Sequence, residues 1–246
     1  VYKRQGEVPA ISLHEDAPLY ERPMAPPADL ATRQEDTPEG HLPESNDVSE
    51  DLLSLMQSQE WITSQYDSQL FLNTVAGPGS NAAVLRLKHP VSGEDTGRGL
   101  AVTTDGNHRW CAVDPKIGTA MTVAESMLNL ACVGAEPRAL VNCLNFGNPE
   151  NPNVMWQLSE AVDGMAEACS QFNIPVVGGN VSLYNESQGK NIDPTPIVGL
   201  IGVINNLETP PPGVTWNEGD RLMVIGPPGK GLSGSAWAFA RNARNG

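Results

Sequence analysis

Small polar residues follow an apolar run at residues 176–185, VVGGNVSLYN, where they could bind a phosphorylated ligand. The two glycines let a backbone approach a ligand closely and expose N–H groups. The Asn and Ser residues add short neutral donors and acceptors, a combination that suits phosphate and a hydrated magnesium ion. A tight turn in which an Asn supports a bulge is the competing interpretation.

A second polar segment, residues 142–149 with the sequence NCLNFGNP, lies between a strand pattern and a helix pattern. The carboxyl ends of strands that precede helices form the usual ligand edge of open α/β sheets. Three asparagines and a glycine there could hold a polar ligand without charge. Taken alone, the segment favours an Asx-turn and helix cap built by Asn148 over a ligand site.

Three further segments carry weaker signals. Asp105 follows a strand pattern and could hold magnesium, although Asp-Gly is also a common turn pair. Residues 77–81, GPGSN, are compatible with a plain loop. Residues 226–234, GPPGKGLSG, lack the GxxxxGK[ST] spacing of a phosphate-binding loop, and they favour a helix start with Ser233 near its cap.

Strand and helix patterns alternate along the glycine-rich part of the chain, which predicts an α/β or layered α+β fold. Strands are predicted at 82–88, 99–104, 139–144, 174–177, 197–204 and 221–225, with an earlier one at 8–13. Helices are predicted at 118–133, from Pro152 to about Phe172, and near the end of the chain. The buried faces are expected at Ala120, Val123, Ala124, Met127, Leu128 and Ala131 in the first long helix, and at Met155, Leu158, Val162, Met165 and Ala166 in the second.

The composition separates residues 1–60 from the remainder. The chain has 246 residues and a formal net charge of −14, with 29 acidic and 15 basic residues. Residues 1–60 hold 13 of the acids and only two of the 24 glycines. The Pro- and acid-rich stretch 22–48 cannot bury enough apolar area to offset the entropy lost on ordering, which predicts a surface linker. A short amphipathic helix capped by Ser49 or Asn46 is expected to follow it.

Charge, hydropathy and cysteine spacing exclude several classes of protein. An acidic chain is repelled by phosphate backbones, so we expect no nucleic-acid partner. No apolar stretch approaches the roughly 20 residues of a membrane helix, and no signal-peptide core is present at the start. The four cysteines, at positions 111, 132, 143 and 169, form no CxxC pair. Free thiols in a reducing compartment, the cytoplasm, are therefore expected.

The run from Asp105 to Ile204 resembles the synthetase part of the phosphoribosylformylglycinamidine synthase (formylglycinamide ribonucleotide amidotransferase) family. The matching pieces are Asp105-Gly106-Asn107, Asp114-Pro115 with Gly118, Val123-Ala124-Glu125, Asn129 to Cys132, Cys143 to Glu150, Met155-Trp156-Gln157 and Gly179 to Glu186. Ordered matches over about a hundred residues are far more specific than any single one, and they favour the ligand interpretation of the two polar segments.

The resemblance implies an ATPase-like domain of the aminoimidazole ribonucleotide synthetase superfamily, followed by the start of a second α/β domain. In the family, two such halves follow each other, and this chain is similar to the second. Residues 1–20 would then be the tail of the preceding domain, and 21–60 the connection with its short helix. Residues 61–207 would be the second ATPase-like domain, and 214–246 a truncated start of the last domain.

The resemblance also implies a reaction and a set of roles. The family converts formylglycinamide ribonucleotide, ATP and glutamine into formylglycinamidine ribonucleotide, ADP, phosphate and glutamate, in purine biosynthesis. By motif, Asn142 and Gly179 would contact ATP, Asn180 would bind Mg²⁺, and Ser182 would contact the ribonucleotide. Partners would be the first half of the synthetase and a glutaminase that supplies ammonia. The catalytic histidine motif belongs to the first half, so we expect this fragment to be inactive alone.

Two positions depart from the family pattern. Many members carry Asp at the position of Asn142, and many carry Gly-Asp-Ala-Ala where this chain has Ser80-Asn81-Ala82-Ala83. Both changes remove a carboxylate, which lends support to a non-catalytic nucleotide-binding scaffold as an alternative function. Another ATP-dependent synthetase or kinase of the same superfamily is the second alternative.

Overall fold

The computed structural model describes residues 6–35, 45–209, 217–227 and 235–241. The helices are α1 (Leu30–Gln34), α2 (Val48–Leu55), α3 (Glu60–Thr63), α4 (His108–Val113), α5 (Pro115–Cys132), α6 (Pro152–Phe172) and α7 (Ala236–Ala240). The strands are β1 (Thr74–Ala76), β2 (Ala83–Lys88), β3 (Asp95–Asp105), β4 (Glu136–Asn145), β5 (Val176–Ser182), β6 (Glu186–Ser187), β7 (Lys190–Asn191) and β8 (Thr195–Ile204).

Six strands form one mixed sheet in the order β1-β2-β3-β8-β4-β5. All neighbours are antiparallel except β4 and β5, which run parallel and are joined through α6. The last strand in the sequence, β8, thus lies between β3 and β4. This architecture confirms the predicted layered α/β fold, with α5 and α6 between β3 and β5 in the sequence.

Helices α5 and α6 cover one face of the sheet. On this face β8 contributes Val198, Leu200 and Ile204, all buried against the helices. The register places the other residues of β8 on the opposite face, beside Leu100, Val102 and Val141 of neighbouring strands. We call this opposite face the open face, because the long helices α5 and α6 pack on the other side of the sheet.

The two long helices approach each other closely, and this changes which residues they bury. A Cβ at Gly164 would lie only 2.1 Å from the carbonyl oxygen of Lys116, so only glycine fits there. In α5 the buried set is dominated by small and polar residues, which include Thr119, Thr122 and Ser126. The predicted faces were therefore partly wrong: Leu128 and Ala131 of α5 and Val162 and Ala166 of α6 are exposed.

The ends of the long helices follow from capping chemistry. Asp114 accepts a hydrogen bond from the backbone N–H of Ile117 ahead of α5, and Asn151 does the same for Asn153 ahead of α6. Each helix has proline at its first position, where no N–H is needed. Helix α6 ends at Phe172 and is followed by Asn173, whose left-handed φ of 55° suits asparagine. The predicted span of α6 is confirmed.

Several predictions for segments outside the sheet were wrong. Residues Ala10–Leu13 form a 3₁₀ helix, not a strand, since the backbone N–H of Ser12 donates back to the carbonyl of Pro9. Residues 221–225 are not a strand either: they pair with no strand among the described residues, and Ile225 is 93% exposed. Helix α2 is capped by Asp47 rather than by Ser49 or Asn46. The predicted cap Ser233 lies outside the described residues.

The acidic linker is attached to the sheet domain at several points. The Arg33 guanidinium and the Gln34 amide donate to the carbonyl oxygens of Ala112 and Val113, at 3.1 and 3.4 Å. These carbonyls end α4, where a positive charge is favourable. The backbone N–H of Ala25 donates to Pro152 at 3.2 Å. In the described part of the chain, no helix is long and apolar enough to cross a membrane.

Candidate functional site

The parallel pair β4–β5 brings the four predicted site residues together. Asn142 lies opposite Gly179, Cys143 opposite Asn180, and Asn145 opposite Ser182. The predicted strand at 174–177 is longer than expected, because it runs through both glycines to Ser182. The competing interpretation of these glycines as a tight turn was therefore wrong. The polar residues lie towards the carboxyl ends of both strands, as the sequence indicated.

Asn142 and Gly179 share the face of the sheet that α6 covers. The Asn142 amide nitrogen lies 3.5 Å from the sulfur of Met165 in that helix. A Cβ at Gly179 would lie 2.1 Å from Asn142 Oδ1 and 2.7 Å from the Asn142 carbonyl oxygen. Glycine is thus required at 179 by its own neighbour, and Asn142 packs directly on the strand that carries the other three residues.

Asn180 and Ser182 lie on the open face, together with Cys143 and Asn145. Asn180 is exposed, whereas Ser182 is half-buried. The Asn145 amide donates to the carbonyl oxygens of Cys143 and Thr195, at 3.1 and 3.2 Å, which ties β4 to β8. The predicted ATP-contacting residues and the predicted metal and substrate residues therefore occupy opposite faces of one strand pair.

The loops after β4 and β5 are bonded to each other. The backbone N–H of Phe146 donates to the carbonyl of Ser182 at 3.0 Å, and that of Tyr184 donates to Gly147 at 2.9 Å. Asn191 accepts from the backbone N–H of Asn148 at 2.8 Å and fills the space where a Gly147 Cβ would stand. The Asx-turn predicted at Asn148 is present, since its side chain accepts from the backbone N–H of Glu150 at 2.9 Å. The predicted helix cap at Asn148 was wrong, because Asn151 caps α6.

Asp105 stands at the end of β3, where the sequence indicated a carboxylate. Its oxygens accept hydrogen bonds from Ser126 at 2.6 Å and Asn129 at 2.8 Å, both on α5, and from Thr103. Burial, with the nearby charge of Asp105 as a smaller cause, raises the pKa of Glu125 above its usual range. The carboxylate therefore joins β3 to α5, and a second acid lies close to it.

The asparagines at the two positions that depart from the family pattern both donate a hydrogen bond, which an ionised carboxylate cannot do. Asn81 donates to Asn129 Oδ1 at 3.4 Å, and Asn129 in turn donates to Asp105. Asn142 donates to the Met165 sulfur. A carboxylate at position 81 would add a negative charge close to Asp105, which the amide avoids.

The donor set fits magnesium only as part of a larger complex. No group of three or more His, Cys, Asp or Glu side chains within the described ranges could hold a metal ion. Asn180 offers one neutral amide oxygen on an exposed strand. Magnesium is usually held by one or two carboxylates together with substrate phosphates. Asn180 thus suits an ion already carried by phosphates, and the described residues form no magnesium site of their own.

Sequence reasoning underrated two residues of this site. Asn185 holds the Ser182 loop through its side chain, and Met165 contacts Asn142 from α6. Asn185 appeared in the sequence only as one member of a polar run. Its spacing of three residues from Ser182 was the available signal, because a short amide can reach back over a turn of that length.

The fold is that of a known family. Residues 79–204 match the family model described as AIR synthase related protein, N-terminal domain, and the chain belongs to that family. These residues include the two long helices α5 and α6 and the sheet strands β2, β3, β4, β5 and β8.

Relatives within this family are PurL proteins. The chain is 46% identical over 238 residues to the phosphoribosylformylglycinamidine synthase subunit PurL of Moorella thermoacetica, covering 94% of this chain and 31% of the relative. It is 37% identical to PurLQS of Thermotoga maritima, with a TM-score of 0.55 over 61% of this chain and 24% of that one. Structures of T. maritima PurL complexed with ATP and with FGAR are each 36% identical, with TM-scores of 0.52. They cover 60% and 61% of this chain, and 23% and 24% of theirs. The chain thus spans about a third of the curated relative's length.

Proposed function

We propose that this chain forms the second ATPase-like half of a phosphoribosylformylglycinamidine synthase in purine biosynthesis. The full protein would convert formylglycinamide ribonucleotide, ATP, glutamine and water into formylglycinamidine ribonucleotide, ADP, phosphate and glutamate. The observation that carries the proposal is the β4–β5 register, which juxtaposes Asn142 with Gly179 and Asn145 with Ser182. The 46% identity to a PurL subunit supports it.

The proposed roles follow from the chemistry of each group. Gly179 and Asn142 would contact ATP from the outer side of β5, which is the last strand of the described sheet; backbone groups there have no partner strand, and a ligand along this edge has access to both faces. Ser182 would donate its hydroxyl to an anionic oxygen of the ribonucleotide. The Asn180 amide oxygen would be one ligand of the Mg²⁺ that accompanies ATP. When bound, that ion neutralises charge on the transferred phosphoryl group.

The first half of the synthetase is the partner that the open face suits. Asn180 and Ser182 stand on this face beside an apolar area that includes Val141, Ile197 and Ile201. Val141 remains 38% exposed, although it lies on an inner strand of the sheet. An apolar sheet face normally packs against another layer. Coverage by the first half would bury this area and enclose the substrate residue.

The remaining assignments extend the same proposal. Residues 1–20 and 214–246 would belong to the flanking domains, and 21–60 and 61–207 to the connection and the ATPase-like domain. A glutaminase subunit or domain would supply ammonia, in the cytoplasm. The full protein's activity would depend on the first half, so this chain alone would not turn over.

The test uses the full-length protein that carries this chain, with ammonia in place of glutamine so that no glutaminase step intervenes. ADP formation is measured with and without formylglycinamide ribonucleotide for the wild type, Asn180→Ala and Ser182→Ala. Ser170→Ala, an exposed serine of α6, is the matched control. We expect both site variants to lose substrate-dependent ADP formation by about tenfold or more, since each loses a contact to a charged group.

A non-catalytic nucleotide-binding scaffold is the second candidate. The observation that favours it is the neutral donor set, in which Asn81 and Asn142 stand where the family often has carboxylates. If Asn180→Ala and Ser182→Ala leave ADP formation unchanged while the protein still binds ATP without magnesium, the scaffold function replaces the synthetase site.

A further inference from the structure

We infer that Asn185 is a positioning residue that makes the Ser182 hydroxyl available as a hydrogen-bond donor to an anionic substrate oxygen. This inference rests on the proposed function, in which Ser182 contacts the ribonucleotide. It assigns a role to a side chain that need not touch the substrate itself, and it makes the Ser182–Asn185 pair the unit that recognises the anionic oxygen.

The orientation of the Asn185 side chain is fixed by two acceptors. Its amide nitrogen lies 3.0 Å from the carbonyl oxygen of Phe146 and 2.9 Å from that of Ser182. Carbonyl oxygens accept and never donate, so the nitrogen, not the oxygen, of the amide must face them. A flipped amide would place its oxygen against both carbonyls.

The backbone of Asn185 is held as well. Its N–H donates to the Phe146 carbonyl at 3.1 Å, and its own carbonyl accepts from Ile192 at 3.1 Å. The preceding residue, Tyr184, has a left-handed φ of 61° and donates its N–H to Gly147. These hydrogen bonds restrict the conformation of the loop at position 185, so the Asn185 side chain is preorganised before any ligand binds.

This orientation determines what the Ser182 hydroxyl can do. The Asn185 amide nitrogen donates to Ser182 Oγ at 3.1 Å, and the Ser182 hydroxyl donates in turn to Asn185 Oδ1 over a longer 3.3 Å. One N–H can point to Phe146, and the other is shared between the carbonyl and hydroxyl oxygens of Ser182. An anionic oxygen on the open face is a stronger acceptor than the distant amide oxygen, so it can take over the hydroxyl proton while the amide nitrogen continues to donate to Ser182 Oγ.

Charge explains why this position carries an amide and not a carboxylate. An aspartate would set a negative charge against two carbonyl oxygens and beside the anionic ligand. The neutral amide avoids both repulsions and supplies the donor that a carboxylate lacks. The chain's net charge of −14 makes a further negative charge beside an anionic ligand especially unfavourable.

The experiment is a double-mutant cycle in the full-length protein, with ammonia as nitrogen donor. The variants are Ser182→Ala, Asn185→Ala and the double variant, and the readouts are kcat/KM for formylglycinamide ribonucleotide and KM for ATP. Each single variant is expected to lower kcat/KM about tenfold, the usual size of one hydrogen bond to a charged group. In the Ser182→Ala background, Asn185→Ala should cost less than about twofold, because its target is gone.

Asn191→Ser is the matched control, since Asn191 bonds to the same loop cluster through Asn148 but does not contact Ser182. Its effect should be equal in both backgrounds. If Asn185→Ala does not fold, Asn185→Ser takes its place in the cycle, because serine can keep one loop hydrogen bond but is too short to reach all three acceptors.

Two results would overturn the inference in different ways. If Ser182→Ala impairs turnover and Asn185→Ala costs the same factor in both backgrounds, Asn185 is merely structural and only this inference fails. If Ser182→Ala leaves the kinetics with formylglycinamide ribonucleotide unchanged, the proposed substrate contact fails, and the role of Asn185 fails with it.

Discussion

Gly179→Ala tests how closely β5 is packed against Asn142. The added Cβ would stand 2.1 Å from Asn142 Oδ1 and 2.7 Å from its carbonyl oxygen. The side chain can rotate away, but the carbonyl belongs to a strand paired on both sides. At 2.7 Å this contact is about 0.7 Å short of ordinary van der Waals contact, which begins near 3.4 Å. Such overpacking costs about 2 kcal/mol.

Gly178→Ala is the matched control for this prediction. It lies one residue earlier, and its Cβ would meet only Val141, at an ordinary 3.9 Å. Neither glycine has a positive φ, so alanine is strained at neither position. Because glycine in a strand costs about 0.5–1 kcal/mol relative to alanine, Gly178→Ala should be neutral or stabilising.

Urea denaturation and thermal unfolding of the 246-residue chain measure both variants. For a chain of this size, about 2 kcal/mol lowers the Tm by roughly 4–8 °C. In an Asn142→Ala background the cost of Gly179→Ala should fall to about 1 kcal/mol, since the carbonyl contact remains. Equal stability of Gly178→Ala and Gly179→Ala would refute the reasoning and show that β5 can move away from β4.

Three further predictions concern the fold. Gly164→Ala should destabilise the chain by about 3 kcal/mol in urea, because its Cβ would meet the Lys116 backbone, which cannot rotate away. Asp47→Ala should reduce the helical circular dichroism from α2 and cost about 1 kcal/mol, since Asp47 accepts from two backbone N–H groups; Asp47→Asn should retain most of the cap. Burial raises the pKa of the Cys111 thiol to about 11, so at pH 8 a thiol reagent should modify exposed Cys132 quickly and Cys111 only on unfolding. Fast modification of Cys111 in a folded Cys132→Ser variant would contradict this prediction. The stability that the buried neutral thiol of Cys111 contributes should be lost as pH rises above about 9, where the thiol of the unfolded chain ionises.

Local chemistry explains why α6 could be predicted from Pro152 to Phe172. A proline at its start and an asparagine just after its end are read directly from the sequence, and both act within one turn. The buried face was harder to predict. Gly164 and the small polar residues of α5 let the two helices approach closely, so hydrophobicity alone placed the stripe on Val162 and Ala166, which are exposed.

In the candidate site too, the residue types could be read from the sequence, whereas their arrangement could not. The residue types at 142, 179, 180 and 182 indicated a phosphate ligand, and the register places them on adjacent strands. The face on which each residue lies depends on how the two strands are aligned, because a shift of one residue exchanges the faces. Only the structure shows this alignment. The role of Asn185 depends on the carbonyl oxygens of Phe146 and Ser182. Every residue type has a backbone carbonyl, so the sequence could not indicate these two acceptors.

The central place of β8 constrains how a growing chain can acquire this fold. Until residues 195–204 have left the ribosome, β2–β3 and β4–β5 are two separate sheets with no common strand. Each would expose apolar residues that β8 later covers, and the pairing of β3 with β8 spans about a hundred residues. Contacts of such separation slow folding and leave intermediates prone to aggregate. Truncation before β8 should therefore yield chaperone-bound or insoluble product, whereas truncation after Leu207 should leave the sheet complete.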